Sequence, residues 1–360
     1  MTTTIQSVIK SFSKVTSNFS KKLTINLGLI LTTMGRKNTA SMTRYNNMSY
    51  SEAYVRLGDS DELAQQCIDF IHSLIHNLAT EENRGYLLID FTMLQKAYAH
   101  KIENITYDYD GTINDTTKGL STGVICWSNG KIIIPFNFSY WLRKKDAGDA
   151  YKKKTELAQE LIKQTHLDGI PFSEVILDGA FASKGMIDFL EKEGINYTMR
   201  IPKNRIIENE TATTNLSKHP DLILYRNERS KTAFGSYKGH NAYFTVQKRK
   251  AKSGKISKVF IISSVNRTSK EHIKRYDERW PEEKVFRTSK QNLGLKDCQS
   301  IFFQKQRLHF YLVMTSHTIL SLARIYQNAK SVEEVLNPIR FKKMTYRELE
   351  SLLPEQTIMH

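Results

Sequence analysis

The chain has 360 residues, 40% of them hydrophobic and 25% charged, with seven prolines and 17 glycines. That composition excludes a disordered tract, a collagen-like fibre and a small disulfide-held scaffold, and leaves room for one large domain with appendages or for two or three ordinary ones. The 53 Lys and Arg against 37 Asp and Glu leave a net charge of +16, which points to a polyanionic partner, nucleic acid before membrane.

Met1 to Phe19 is rich in Ser and Thr and lacks a basic start followed by an apolar core, so no secretory signal is read there. Leu23 to Met34 is the most apolar run, but it is shorter than the roughly 18 residues of a membrane span and carries Thr, Asn and Gly. Ser49 or Ser51 caps a helix through Val55, with Glu52 in its first turn. A second helix runs from about Asp61 to Leu78, where Leu63, Cys67, Ile68, Ile71, Leu74 and Ile75 recur at steps of three and four. Residues 1–80 thus read as a helical module, and Arg36, Lys37 and Arg44 around its turn could meet DNA or simply be exposed cations.

At Gly85 the texture changes. Tyr86-Leu87-Leu88-Ile89 is a buried-strand run closed by Asp90, and Glu174 to Leu177 is a second one closed by Asp178. Between them, Ser121–Trp127 and Lys131–Pro135 form a hairpin about Ser128-Asn129-Gly130, because Asn-Gly adopts the left-handed turn that a tight hairpin needs. Residues 144–165 read as a charged helix, Ser183–Lys192 as another ending at Gly194, and Ile195–Ile201 as a strand. Residues 195–270 then hold 16 Lys and Arg against four Asp and Glu, with strand-like pieces at Leu222–Tyr225, Ala242–Gln247 and Val259–Ser263. So lopsided a segment reads as a polyanion-binding surface. Helix resumes from Ser269 to about Leu293, then from Gln306 to Tyr326, and the tail to His360 reads as helical. Cys67, Cys126 and Cys298 are odd in number and far apart, with neither disulfide nor zinc spacing, so a reducing cytoplasm is the default compartment.

Asp90 and Asp178 share a context, an acid at the end of a short apolar strand, where side chains face the crevice of an open sheet. A lone Asp there is commonly a turn or helix cap. A third element alters the balance. Tyr276, Arg279, Glu283, Arg287 and Lys290 fall at steps of three and four, on one face of a helix, which a merely solvent-facing salt-bridged helix would not require. Trp280 lies on another face and reads as core.

The spacing Tyr276-x2-Arg279-x3-Glu283-x6-Lys290, preceded in order by Leu87-Leu88-Ile89-Asp90-Phe91 and Val175-Ile176-Leu177-Asp178-Gly179, resembles the DDE transposases of bacterial insertion sequences, in the subgroup marked by that motif and by a β-rich insertion before the Glu. The resemblance covers about 85–330. It implies a mixed α/β fold: a ribonuclease-H-like catalytic core over 85–201 and 270–300, a basic β-rich insertion over 202–269 and a helical C-terminal region over 301–360. Phe91 stands where the family often has a second polar residue.

The resemblance further implies a cut-and-paste transposase, with Asp90, Asp178 and Glu283 as catalytic carboxylates. Phosphodiester cleavage needs an activated water or 3′-hydroxyl and a stabilised leaving oxygen, which two Mg²⁺ ions supply through oxygen ligands, with Mn²⁺ able to substitute. On that reading Asp90 bridges the ions, Asp178 holds one and Glu283 the other. Tyr276, Arg279 and Lys290 would contact DNA phosphates, joined by Arg287, Arg249 and Lys250, and one of Phe234, Tyr237, Tyr243 or Phe244 could stack a flipped base. The implied partners are double-stranded DNA, both element ends and target, and a second protomer, with no membrane and a nucleoid location in a bacterial cytoplasm. Two alternatives stand beside this one: a metal-dependent structure-specific nuclease on the same core, and a non-catalytic DNA-binding relic. The intact acids and Tyr-Arg-Glu-Lys set argue against the relic.

Overall fold

The computed structural model describes residues 19–49, 51, 60–250, 254 and 256–341. The helix expected through Val55, the start of the chain and the tail beyond Phe341 lie outside the described residues.

A mixed eleven-stranded sheet organises the chain. Its core is the antiparallel set β1 (Tyr86–Gln95), β3 (Asp115–Ser128) and β4 (Ile133–Trp141), continued on the other side of β1 by β5 (Val175–Leu177) and β6 (Tyr197–Arg200), which run parallel to it. Gly130, with φ 86°, closes the expected hairpin between β3 and β4. The sheet is covered on both faces, which is why β1 and β5 carry continuous apolar runs rather than an alternation. One face is packed by α1 (Lys21–Thr32), α9 (Phe303–Tyr326) and α10 (Val332–Phe341), the other by α5 (Lys154–Leu167) and α6 (Lys184–Lys192); α3 (Ser60–Leu78) gives residues to both, Leu63 and Cys67 to the first and Ile71 and Ile75 to the second.

Register then does the positioning. Ile89 pairs with Leu177, so Asp90 and Asp178, the next residues on two neighbouring parallel strands, stand side by side. Asp178 ends its strand as expected and caps a 3-10 turn, Gly179–Phe181, its Oδ1 accepting from Gly179 N at 2.7 Å. Asp90 does not end its own: β1 runs on five residues to Gln95, held by β3, and Phe91 lies over Gly123, where a Cβ would fall 2.6 Å from the ring.

The basic segment belongs to the same sheet. Its strand β11 (Ile256–Ser263) pairs antiparallel with β6, and β10 (His240–Lys250), β9 (Ser230–Tyr237), β7 (Ile206–Glu208) and β8 (Thr213–Asn215) follow outward. β2 (Thr106–Asp110), likewise unforeseen, pairs with the start of β3. The strand expected at Leu222–Tyr225 is instead the end of a 3-10 turn, Pro220–Leu222, followed by loop, because Pro220 removes a ladder donor where the strand would start.

Two expected helices are each split. The 144–165 helix becomes α4 (Lys144–Ala147), a 3-10 turn and α5, with Gly148 at φ 56° ending the first piece. The 269–293 helix becomes α7 (Ser269–Asp277) and α8 (Trp280–Gln291), because Pro281 offers no N–H to continue the ladder and suits the first turn of a new helix. The short α2 (Thr39–Tyr45) follows α1 and is capped by Asn38. Lys37, read from sequence as a DNA contact or an ordinary exposed cation, is 2% exposed: its Nζ donates to Gly35 O and its backbone N–H to Asp297 Oδ2.

Candidate active site

The helix pair α7–α8 is pinned before it reaches the acids. Glu174, just ahead of β5 and 1% exposed, accepts a bidentate pair from Arg267 at 2.9 and 2.8 Å and a contact from Arg275 Nε at 3.1 Å. His272 on α7 reaches the insertion: its Nδ1 meets Thr245 Oγ1 on β10 at 2.8 Å, and its Nε2 meets Val265 O at 2.8 Å. These buried polar contacts fix the height and rotation of α7 on the sheet.

Tyr276 and Arg279 then fall on the acids. Tyr276, 4% exposed, donates its hydroxyl to Asp178 Oδ1 at 3.1 Å. Arg279, 7% exposed, donates from Nη2 to Glu283 Oε1 at 2.9 Å, while its Nη1 lies 3.8 Å from Asp90 Oδ2. One guanidinium therefore joins the first and third acids, and the phenol beside it holds the second. Burial pushes the Asp90 carboxyl up to about 6, with Asp178 and Glu283 adding to the rise and the Phe91 N–H and Arg279 opposing it. Burial and the neighbouring Asp178 push the Tyr276 hydroxyl up to about 12. Burial works against the Arg279 charge, but Tyr276, Asp178, Asp90 and Glu282 around it keep it firmly protonated.

The other residues singled out from sequence spread outward from this point. Lys290 is half-buried; burial lowers its ammonium, while Asp110 on β2 and Asp90 help keep the charge. Arg287 and Lys250 are exposed. Arg249 is held by Gln247 Oε1 at 2.7 Å and by Asp277. The β10–β11 hairpin that carries Arg249 and Lys250 continues five residues past the Ile261–Arg200 pair, roughly 17 Å beyond the edge where Asp178 sits. On the opposite flank, β3 continues nine residues past Val124, the partner of Asp90, or about 30 Å. Two ribbons thus rise on either side of the carboxylates. Of the four aromatics considered for a flipped base, Tyr237 and Phe244 are buried, while Phe234 is 53% exposed and packs on half-buried Tyr243 with ring centroids 5.1 Å apart. Trp280 is not core: it is 49% exposed, with the Arg279 guanidinium 5.7 Å from its ring.

One residue escaped the sequence reading. Glu282, beside Glu283, has 0% exposure, and neither of its carboxylate oxygens has a hydrogen-bond partner; nor does Arg279 Nε one helical turn back. Burial, reinforced by Asp90, raises its pKa well above the usual range. The signal was available: Glu282 shares the helix face of buried Val285, Phe286 and Ser289.

Asp90, Asp178 and Glu283 offer only carboxylate oxygens, and burial together with its two acidic neighbours disfavours the charge on Asp90, a donor set and a charge deficit that suit a hard divalent cation. As the side chains stand, with Arg279 among them, no group of three or more His, Cys, Asp or Glu could hold a metal ion among the described residues. Cavities of about 410 Å³ beside α1 and about 480 Å³ between α3 and α9 are lined by none of these residues. Among the described residues no helix is long and apolar enough to cross a membrane.

Comparison with known proteins meets this geometry. The family described as "Transposase DDE domain" matches residues 128–319, which include Asp178 and Glu283, and the family described as "DDE superfamily endonuclease" matches residues 17–219, which include Asp90 and Asp178. A "Probable transposase for insertion sequence element IS701" from Microchaete diplosiphon is 28% identical over 130 residues, 34% of this chain and 33% of the relative, so the similarity spans about a third of that protein's length. Each family match covers more than half of the chain; the mixed core sheet is ribonuclease-H-like, and the chain belongs to the DDE transposases, within the superfamily of DDE endonucleases.

Proposed function

We propose that the protein is a cut-and-paste transposase that nicks DNA at the ends of its own element and joins the freed 3′-hydroxyl to target DNA. The observation that carries the reading is the β1–β5 register, which sets Asp90 beside Asp178, together with the guanidinium that links Asp90 to Glu283. Asp90, Asp178 and Glu283 would hold a divalent cation, Mg²⁺ or Mn²⁺ in its place, which would supply activation of the attacking hydroxyl and neutralisation of the leaving oxygen. The chain itself binds and orients. Arg287 and Lys250, exposed on the rim, take the DNA backbone as it arrives, and Arg249 and Lys290 follow once the duplex displaces their acidic neighbours. Tyr276 and Arg279, buried beside the acids, meet the phosphate that enters the site, through a hydroxyl donor and a bidentate fork. Two ends have to be brought together, which calls for a second protomer in the assembled complex.

The test is cleavage and joining by the full chain on duplexes carrying the inverted repeats that flank its gene, with Mg²⁺ present. Asp90→Asn, Asp178→Asn and Glu283→Gln are expected to abolish nicking while gel-shift binding of the same duplex survives. Mg²⁺-dependent nicking that persists in all three variants would overturn the assignment. Nicking by the wild-type chain with no joined product would favour a nuclease on the same core.

A further inference from the structure

The buried pair Glu282 and Arg279 is unexplained by that mechanism. Both oxygens of Glu282 and the Nε of Arg279 are buried without hydrogen-bond partners. A buried carboxyl without a partner costs several times what an exposed one does, so a fold that keeps one holds it for a state in which it is paired. The pairing already made by Arg279 shows what that state is. Its Nη groups face Glu283 at 2.9 Å and Asp90 at 3.8 Å, the oxygens that a cation would take. Once a cation holds those oxygens, the guanidinium loses both acceptors and faces a like charge. At 7% exposure the guanidinium is buried beside the acids rather than turned to solvent. Glu282 is an acid beside the site that is not a proposed ligand, and it stands one helical turn away, its N–H already bonded to Arg279 O at 3.1 Å.

We propose that Glu282 is a positioning residue that takes Arg279 by its Nε–H when a divalent cation enters among Asp90, Asp178 and Glu283, keeping the guanidinium in the site with its Nη fork free for a DNA phosphate. The proposal rests on the carboxylates being the cation site, as proposed above. It makes Glu282 an outer partner of the cation: it removes the competing positive charge without being a ligand.

Mn²⁺ titration of the full chain without DNA, followed by electron paramagnetic resonance of free Mn²⁺, reads this directly. Glu282→Leu is expected to weaken Mn²⁺ about tenfold, as loss of an outer-shell partner does. Glu282→Gln keeps the shape with a weaker acceptor for the Nε–H, so it weakens Mn²⁺ in the same direction and serves if the leucine variant does not fold. In an Arg279→Leu background there is no guanidinium to receive, and either Glu282 change should shift affinity less than about twofold, the non-additivity of a coupled pair. Wild-type affinity in both Glu282 variants overturns the proposal, and so does an equal loss with and without Arg279. Asp90→Asn separates the two levels: if it binds Mn²⁺ like wild type, the cation site itself is misplaced; if it loses Mn²⁺ while the Glu282 variants retain it, only the role of Glu282 falls.

Discussion

At the scale of single residues, two buried glutamates have opposite energetics. Glu174 is matched, receiving Arg267, Arg275 and the Thr198 hydroxyl at 2.5 Å. Removing its charge in Glu174→Gln leaves two guanidinium groups short of an anion and should cost about 3–5 kcal/mol, read from urea unfolding. Glu282 is unmatched in the cation-free chain, so Glu282→Leu should raise metal-free stability by about 1–3 kcal/mol in the same assay. A single-residue reading of the sequence singled out Asp90, Asp178 and Glu283 as candidates because acids after apolar strand runs and on a spaced helix carry a chemical pattern. It passed over Glu174, whose cover nothing in Ser173-Glu174-Val175 announces, and over Glu282, whose place on the helix face of Val285, Phe286 and Ser289 was legible but went unread.

At the scale of elements, periodicity and turn chemistry were legible wherever the segment was apolar. The runs of β1 and β5, the Asn129-Gly130 hairpin, α6 behind its Ser183 cap and the long α9 could all be read from the chain. The short polar strands β2 and β8 were not, since Thr-Tyr-Asp-Tyr-Asp or Thr-Thr-Asn gains its strand only from a neighbour's edge, nor was β7, only three residues long. The helix α9 adds a pH response of its own. Burial lowers His309 and His317, each to about 4, with His309 Nε2 spent on Gly294 O at 2.7 Å. Between those values and the unfolded pKa of about 6.5 the unfolded chain binds the protons and the folded chain does not. Stability therefore falls as pH drops through that window, by up to about 3 kcal/mol per histidine, and levels off near 4. Urea midpoints measured from pH 7 to 4 should show the slope, and replacing each histidine by Gln should flatten it.

At the scale of the whole molecule, the net charge of +16 is a statement about binding. If six or more phosphates are neutralised, affinity for an element end should fall about 10³-fold or more between 50 and 200 mM salt. A flat response would count against DNA as the substrate. Lys250→Ala and Arg287→Ala, both exposed, should each reduce the logarithmic salt slope by about one. Arg249→Ala should reduce it less, because Asp277 already takes up part of that charge. The sequence pattern foretold a basic appendage late in the chain but not how it is attached.

That attachment has a consequence. Because β11 is bonded edge-on to β6, the appendage shares one backbone ladder with the strand next to Asp178. If it grips duplex and the acids cut, as proposed, that stretch is presented at a set spacing from the reacting phosphate, as a jig fixes a workpiece before the saw. The offset between footprint and nick should then be a constant of the protein, unchanged by temperature or by the strength of the grip, and it should move only when residues are added to or removed from the β6–β11 seam.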